Sequence, residues 1–151
     1  MGTPNRTNIL LNLKSTFQGI TVAGGYNTTV ATVETWLRSR DEVKSGECPY
    51  IGFALDREEL EMQPFGVQYW VAPLIILGYI HDATWTTRSA SLNKLIDDII
   101  ARLNVDHTRG GYAVSTIITG CETDEGDPDA GPIGAIVVYA DVKYCRTTGE
   151  S

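Results

Sequence analysis

Residues 134–144 read GAIVVYADVKY, and this stretch decides the fold. At a period of two, Ile136, Val138, Ala140, Val142 and Tyr144 share one face, while Val137, Tyr139, Asp141 and Lys143 share the other. A wholly apolar strand face needs a layer over it. Residues 90–103 supply one: Leu92, Leu95, Ile96, Ile99, Ile100 and Leu103 form a single helical stripe, with Lys94, Asp97, Asp98 and Arg102 opposite. A second helix is expected over 5–18, with Ile9, Leu13, Phe17 and then Ile20 on one face. Thr3 is placed to cap it, Pro4 to open it and Gly19 to end it. Each helix keeps one wet face, so both are expected to lie on a sheet.

Further strands are expected at 28–37, 49–55, 65–72 and 112–120, all β-branched or aromatic. Residues 73–81 continue 65–72, with Pro73 marking a bend or an edge. The order, one helix, several strands, a helix and two strands, predicts an α+β fold. It is an antiparallel or mixed sheet with two helices packed on one face, forming a single domain over 1–151. Such a chain buries roughly 70% of its unfolded surface and needs no metal or disulfide to be stable.

Two segments, Gly24-Gly25-Tyr26 and Gly110-Gly111-Tyr112, repeat a pattern that could suggest a phosphate cradle. Both follow a helix and precede a strand. A cradle needs the reverse order, with a helix N-terminus aimed at the anion. The glycines are therefore read as corners, at backbone angles closed to other residues.

The net charge of −7 argues against gripping a nucleic-acid backbone, which takes clustered Lys and Arg. Cys48, Cys121 and Cys145 are odd in number and widely spaced, as expected of thiols in a reducing cytosol. The start, MGTPNRTN, lacks the layout of a secretory signal, so the two Asn-X-Thr sites at Asn5 and Asn27 are discounted. The apolar run 71–80 is about half of the ~20 residues that span a bilayer. A soluble cytosolic protein, with no membrane partner, is the expectation.

No catalytic pattern emerges. His81-Asp82 and Asp106-His107 are neighbours in sequence, but no nucleophile elbow accompanies them. No metal-ligand spacing occurs, and no cofactor or enzyme activity is expected. The loop CETDEGDPDAGP (121–132) gathers Glu122, Asp124, Glu125, Asp127 and Asp129, yet fails the calcium-loop pattern because Val138 stands twelfth from Asp127. It reads as a solvated hairpin tip, as does DREELEMQ (56–63). RSRDEVKSGE (38–47) reads as solvated or interfacial. Strands 65–81 and 134–144 carry apolar residues on both faces, more than two helices can cover. If they lie at an edge, they invite pairing with another chain; if central, the fold covers them itself.

Taken together, GGYNTTVATVETWLRSRDE (24–42), PYIGFALDREELE (49–61), LGYIHDA (77–83), SLNKLIDDIIARL (91–103) and AIVVYADVKY (135–144) resemble the layout of tailed-phage tail terminator, or tail completion, proteins. The resemblance implies a virion subunit that forms a hexameric ring on the head-proximal end of the tail tube. The ring would stop tube polymerisation and dock the head–tail connector, and DNA would pass through its lumen without specific binding. It also implies assembly contacts, expected at Arg38, Arg40, Asp41 and Glu42 and at Arg57, Glu58, Glu59 and Glu61. The acidic loop, Glu122 to Asp129, would face the lumen or an interface. Lining the channel, six copies of its five carboxylates would repel a passing duplex. Two alternatives stand beside this: a stopper or adaptor of the head–tail joint, and a small cytosolic enzyme or ligand-binding domain.

Overall fold

The computed structural model describes residues 4–124 and 131–147. Helix α1 (Asn5–Gln18) buries Ile9, Leu13 and Phe17, the face set by the sequence periodicity. Pro4 stands just before its first turn, not within it, and the expected cap at Thr3 lies outside the described residues. The Gly19 N–H closes the helix on the Ser15 and Thr16 carbonyls.

The strands are β1 (Thr32–Glu34), β2 (Tyr50–Leu55), β3 (Glu59–Met62), β4 (Val67–His81), β5 (Ser115–Asp124) and β6 (Ile133–Thr147). Among the described residues they form one six-stranded sheet in the order β1-β2-β4-β6-β5, with β3 also paired to β4. β1 runs parallel to β2 and all other pairs are antiparallel, so the sheet is mixed. Helix α2 (Trp85–Val105) joins β4 to β5. Both helices pack on the face carrying Ala72, Leu74 and Ile76 of β4 and Ile136, Val138, Ala140 and Val142 of β6, as the alternation requires. Gly78 lies under α2, where an added Cβ would sit 2.9 Å from Leu95 and 2.8 Å from Ile136. The α+β expectation, with both helices on one face, holds.

Several expectations are corrected. β4 and β6 are the central strands, not edges; their second apolar face belongs to the side of the sheet away from the helices. Pro73 neither bends β4 nor marks an edge. Its carbonyl accepts the Asp56 N–H at 2.8 Å, so its missing N–H lies on the same flank. The ladder on that flank is interrupted at this point, so no carbonyl there needs the missing N–H: β2 ends at the Leu55–Leu74 pair and β3 begins at Glu59–Val71. Residues 56–63 are accordingly no hairpin tip. β2 and β3 are two segments of one arm along β4, and the tip is Gln63–Gly66.

α2 begins five residues before position 90, in a stretch with no apolar repeat. The Asp82 carboxylate holds that start, accepting the Thr84 N–H at 2.9 Å and the Thr87 hydroxyl at 2.7 Å. β5 starts at Ser115 rather than 112 and continues to Asp124, which puts Glu122 and Asp124 on a strand. The strand expected over 28–37 shrinks to β1 because the chain then turns across Gly52, where a Cβ would meet the Trp36 carbonyl at 2.5 Å. Both GGY segments are corners: Gly25, Gly110 and Gly111 have φ of 96°, 72° and 92°.

Candidate functional site

The sheet face opposite the helices carries Val71, Pro73, Ile75, Leu77 and Tyr79 of β4 and Ala135, Val137, Tyr139, Asp141 and Lys143 of β6. Among the described residues, only one end is covered. There the segment 35–49 crosses from β1 and buries Val43 against Tyr50, Tyr79 and Ala135. The Tyr50 and Tyr79 rings stack at 5.6 Å between centroids. Leu77 packs half-buried against this cluster; beyond it Val71, Ile75 and Val137 stay half-buried, and Ile117 of β5 is 60% exposed.

Arg38 organises the covering segment. Its guanidinium pairs with Glu34 and with Glu47 at 2.9 Å, and donates to the Glu42 carbonyl at 3.2 Å. Its own carbonyl accepts the Tyr79 hydroxyl at 2.6 Å. Hydrogen bonding from Arg38 holds Glu34 below the usual carboxylate range, and Glu47 likewise with help from the Lys44 N–H. Burial, reinforced by Glu34, raises the Tyr50 phenol. Burial also pushes the Cys48 thiol up to about 11, which removes it as a nucleophile at neutral pH.

Arg40 carries the segment across to β5. Its Nη2 pairs with the Asp124 carboxylate at 3.0 Å and donates to the Asp124 carbonyl at 3.2 Å. Two sets that sequence treated separately, Arg38 to Glu42 and Glu122 to Asp129, thus meet over residues 84 apart in the chain. Between them lies a cleft of about 640 Å³, floored by Leu77, Tyr79, Ala135 and Val137 and rimmed by Arg40, Asp41, Glu122 and Asp124. Glu122 accepts the Tyr139 hydroxyl at 2.6 Å. Glu125, Asp127 and Asp129 lie outside the described residues.

The third set is remote, near the opposite end of β4. Glu58 bridges Arg6 at 3.1 Å and Arg146 at 2.8 Å, and Glu61 pairs with Lys143. Arg57 and Glu59 are exposed. The histidines join no site. His81 and His107 are both exposed, and their neighbouring carboxylates are engaged elsewhere: Asp82 at the start of α2, Asp106 with the Thr108 hydroxyl and the Gly110 N–H, both at 2.7 Å. Among the described residues, no three His, Cys, Asp or Glu side chains are grouped to hold a metal ion.

Two buried charges were not legible in the sequence: Asp98, expected on the wet face of α2, is buried and accepts the Asn27 N–H at 3.0 Å, and Arg109 gave no signal at all. Arg109 is fully buried, and its Nη2 donates to the Leu103 carbonyl at 2.6 Å, capping the last turn of α2. An arginine flanking two glycines reads as a loop residue, and only the packed chain encloses it.

No family model matches this chain, and no curated protein matches it. A solved structure does. A chain described as "Virion of native gene transfer agent (GTA) particle" is similar over 93% of this chain and 94% of its own, with 8% identity and a TM-score of 0.45. At that score the likeness carries nothing across to the site.

The ion pairs around Arg38 make the covering segment sensitive to acid. A carboxylate whose folded pKa lies below its unfolded value contributes stability above the unfolded value, and that contribution is lost as pH falls through the folded one. Glu34 and Glu47 start from 4.5, so the segment is expected to loosen below about pH 4.5. An NMR titration should show the Trp36 and Val43 amides moving together in that window, and Arg38→Gln should flatten the response. Amides that stay fixed down to pH 3 would contradict it.

Proposed function

We propose that this chain is a structural subunit of a tailed-phage-like virion, a tail terminator that closes as a hexameric ring on the head-proximal end of the tail tube. The observation that supports this reading most is the half-covered sheet face. A stable fold leaves Val71, Ile75, Leu77 and Val137 of the two central strands half-buried and Ile117 of edge strand β5 exposed on one face, and contiguous apolar surface of this kind marks an interface. The likeness of the sequence layout to terminator proteins supplies the identity of the assembly. The occupant of the open face is then a neighbouring copy.

The role is steric and thermodynamic. One face of the ring matches the last ring of the tube; the other refuses a further tube ring and docks the connector, so growth stops. Glu122 and Asp124 lie on the open face and belong to the subunit contact, while the subunit's net charge of −7 suits a ring past which DNA must slide without sticking.

Light scattering on a sizing column tests the proposal, with negative-stain images and pull-down by tube protein or by portal-side protein. A ring of about 99 kDa, six times the 16.5 kDa subunit, that binds tube protein is the expected result. Binding to portal-side protein instead would move the chain to the stopper or adaptor role. A monomer that binds neither would end the virion reading.

A further inference from the structure

The hairpin tip Gln63–Gly66 presents Phe65 wholly to solvent at φ 49°, a conformation that bulky residues avoid. Leu60 and Met62 on the adjoining strand are about half exposed as well. A fully exposed aromatic ring held on a strained backbone is costly twice over, and such strain persists where function requires it. At the other end of the same sheet lies the cleft floored by Leu77, Tyr79, Ala135 and Val137. Ten residues of β4 separate Val67, beside the tip, from Leu77, in the floor, which places the two about 33 Å apart on one paired strand. A continuous sheet cannot fold back over that distance, so one copy cannot fill its own cleft.

We infer that the Phe65 tip of one subunit inserts into the Leu77–Val137 cleft of the next, giving a head-to-tail contact that repeats around the ring. This rests on the ring-forming reading and names the surfaces that make it. Charge allows the insertion. The subunit carries −7 and the cleft rim is mainly acidic, so most of one copy's surface repels another. Residues 62–80 contain no charged side chain, and the tip, with Met62 beside it, is the longest exposed part of that stretch. Area sets the strength. A buried aromatic contributes about 150–250 Å², while a stable pair needs about 800 Å² on each partner. The tip and cleft alone therefore make a weak pair, and a lasting assembly needs the rest of the open face and closure, in which every subunit gives one tip and receives one.

Two single-cysteine variants test this in a background with Cys48, Cys121 and Cys145 changed to serine. Gln63→Cys subunits, which keep Phe65 in the tip, and Val137→Cys subunits are mixed, assembled and mildly oxidised, with light scattering run on the unmodified chain in parallel. The expected product is a disulfide dimer of about 33 kDa, twice the subunit mass, from the mixture and from neither variant alone. Dimers from Gln63→Cys alone would mean tip-to-tip contact and overturn the inference. Rings without the mixed dimer would overturn it too, and leave the ring reading standing. A chain that stays monomeric, with tube protein present or absent, would end both. Phe65→Ser checks the anchor without engineered thiols: melting should be unchanged, and association should weaken at least tenfold.

Discussion

Phe53→Ala is expected to cost about 3–5 kcal/mol of folding stability, the largest single-site loss among these predictions. Phe53 is fully buried on β2 and meets Phe17 of α1 edge to face, with ring centroids 5.3 Å apart. That contact anchors the first helix to the sheet near its β2 side. The flanking ties are polar: Arg6 to the Leu55 carbonyl at the end of β2, at 2.9 Å, and Arg102 of α2 to the Thr16 carbonyl, at 2.8 Å. Removing the ring leaves a cavity that neither tie can close. Against a total of about 5–15 kcal/mol for a domain, the loss is large. Urea unfolding should show a lower midpoint at an unchanged slope. A change under 1 kcal/mol would mean that α1 is held mainly by its polar ties.

The second large effect is on assembly. Ile117→Asp is expected to abolish the proposed ring while leaving the subunit folded. Ile117 pairs with Asp141 on the open face and is 60% exposed, so the free subunit has little packing to lose there, roughly 0.5 kcal/mol or less. In an assembled interface the same carboxylate is buried without a partner beside Asp141, a penalty of about 2–5 kcal/mol per contact. Every 1.4 kcal/mol is tenfold in affinity, so even the lower figure weakens each junction more than tenfold, and a ring repeats it at every junction. Sizing columns and thermal melts on the same samples separate the two effects. A folded variant that still forms rings would show that the open face is not the subunit interface.

The two proposals rely on different parts of one surface. Ile117 tests the uncovered middle of the open face, and Phe65 tests the contact at its two ends. Arg38 connects them, because the segment it holds in place forms one wall of the cleft. Acid that loosens this segment should therefore weaken assembly before it unfolds the core.

Local sequence determined the faces and the corners. The stripe from Leu92 to Leu103 fixed which side of α2 is buried, Ile9, Leu13 and Phe17 did the same for α1, and the β6 alternation separated a helix-covered face from a mixed one. Gly25, Gly110 and Gly111 sit at corners because only their missing side chains allow those angles. These are short-range properties, set by 3.6- and 2-residue periods and by single-residue sterics. Tertiary structure alone decided the neighbours. That β4 and β6 are central, that β2 and β3 share one flank around Pro73, and that Arg40 reaches Asp124 depend on pairing between residues tens of positions apart. Periodicity says which way a side chain points, but it holds no record of which distant strand lies beside it. The cleft exists only once that pairing is made.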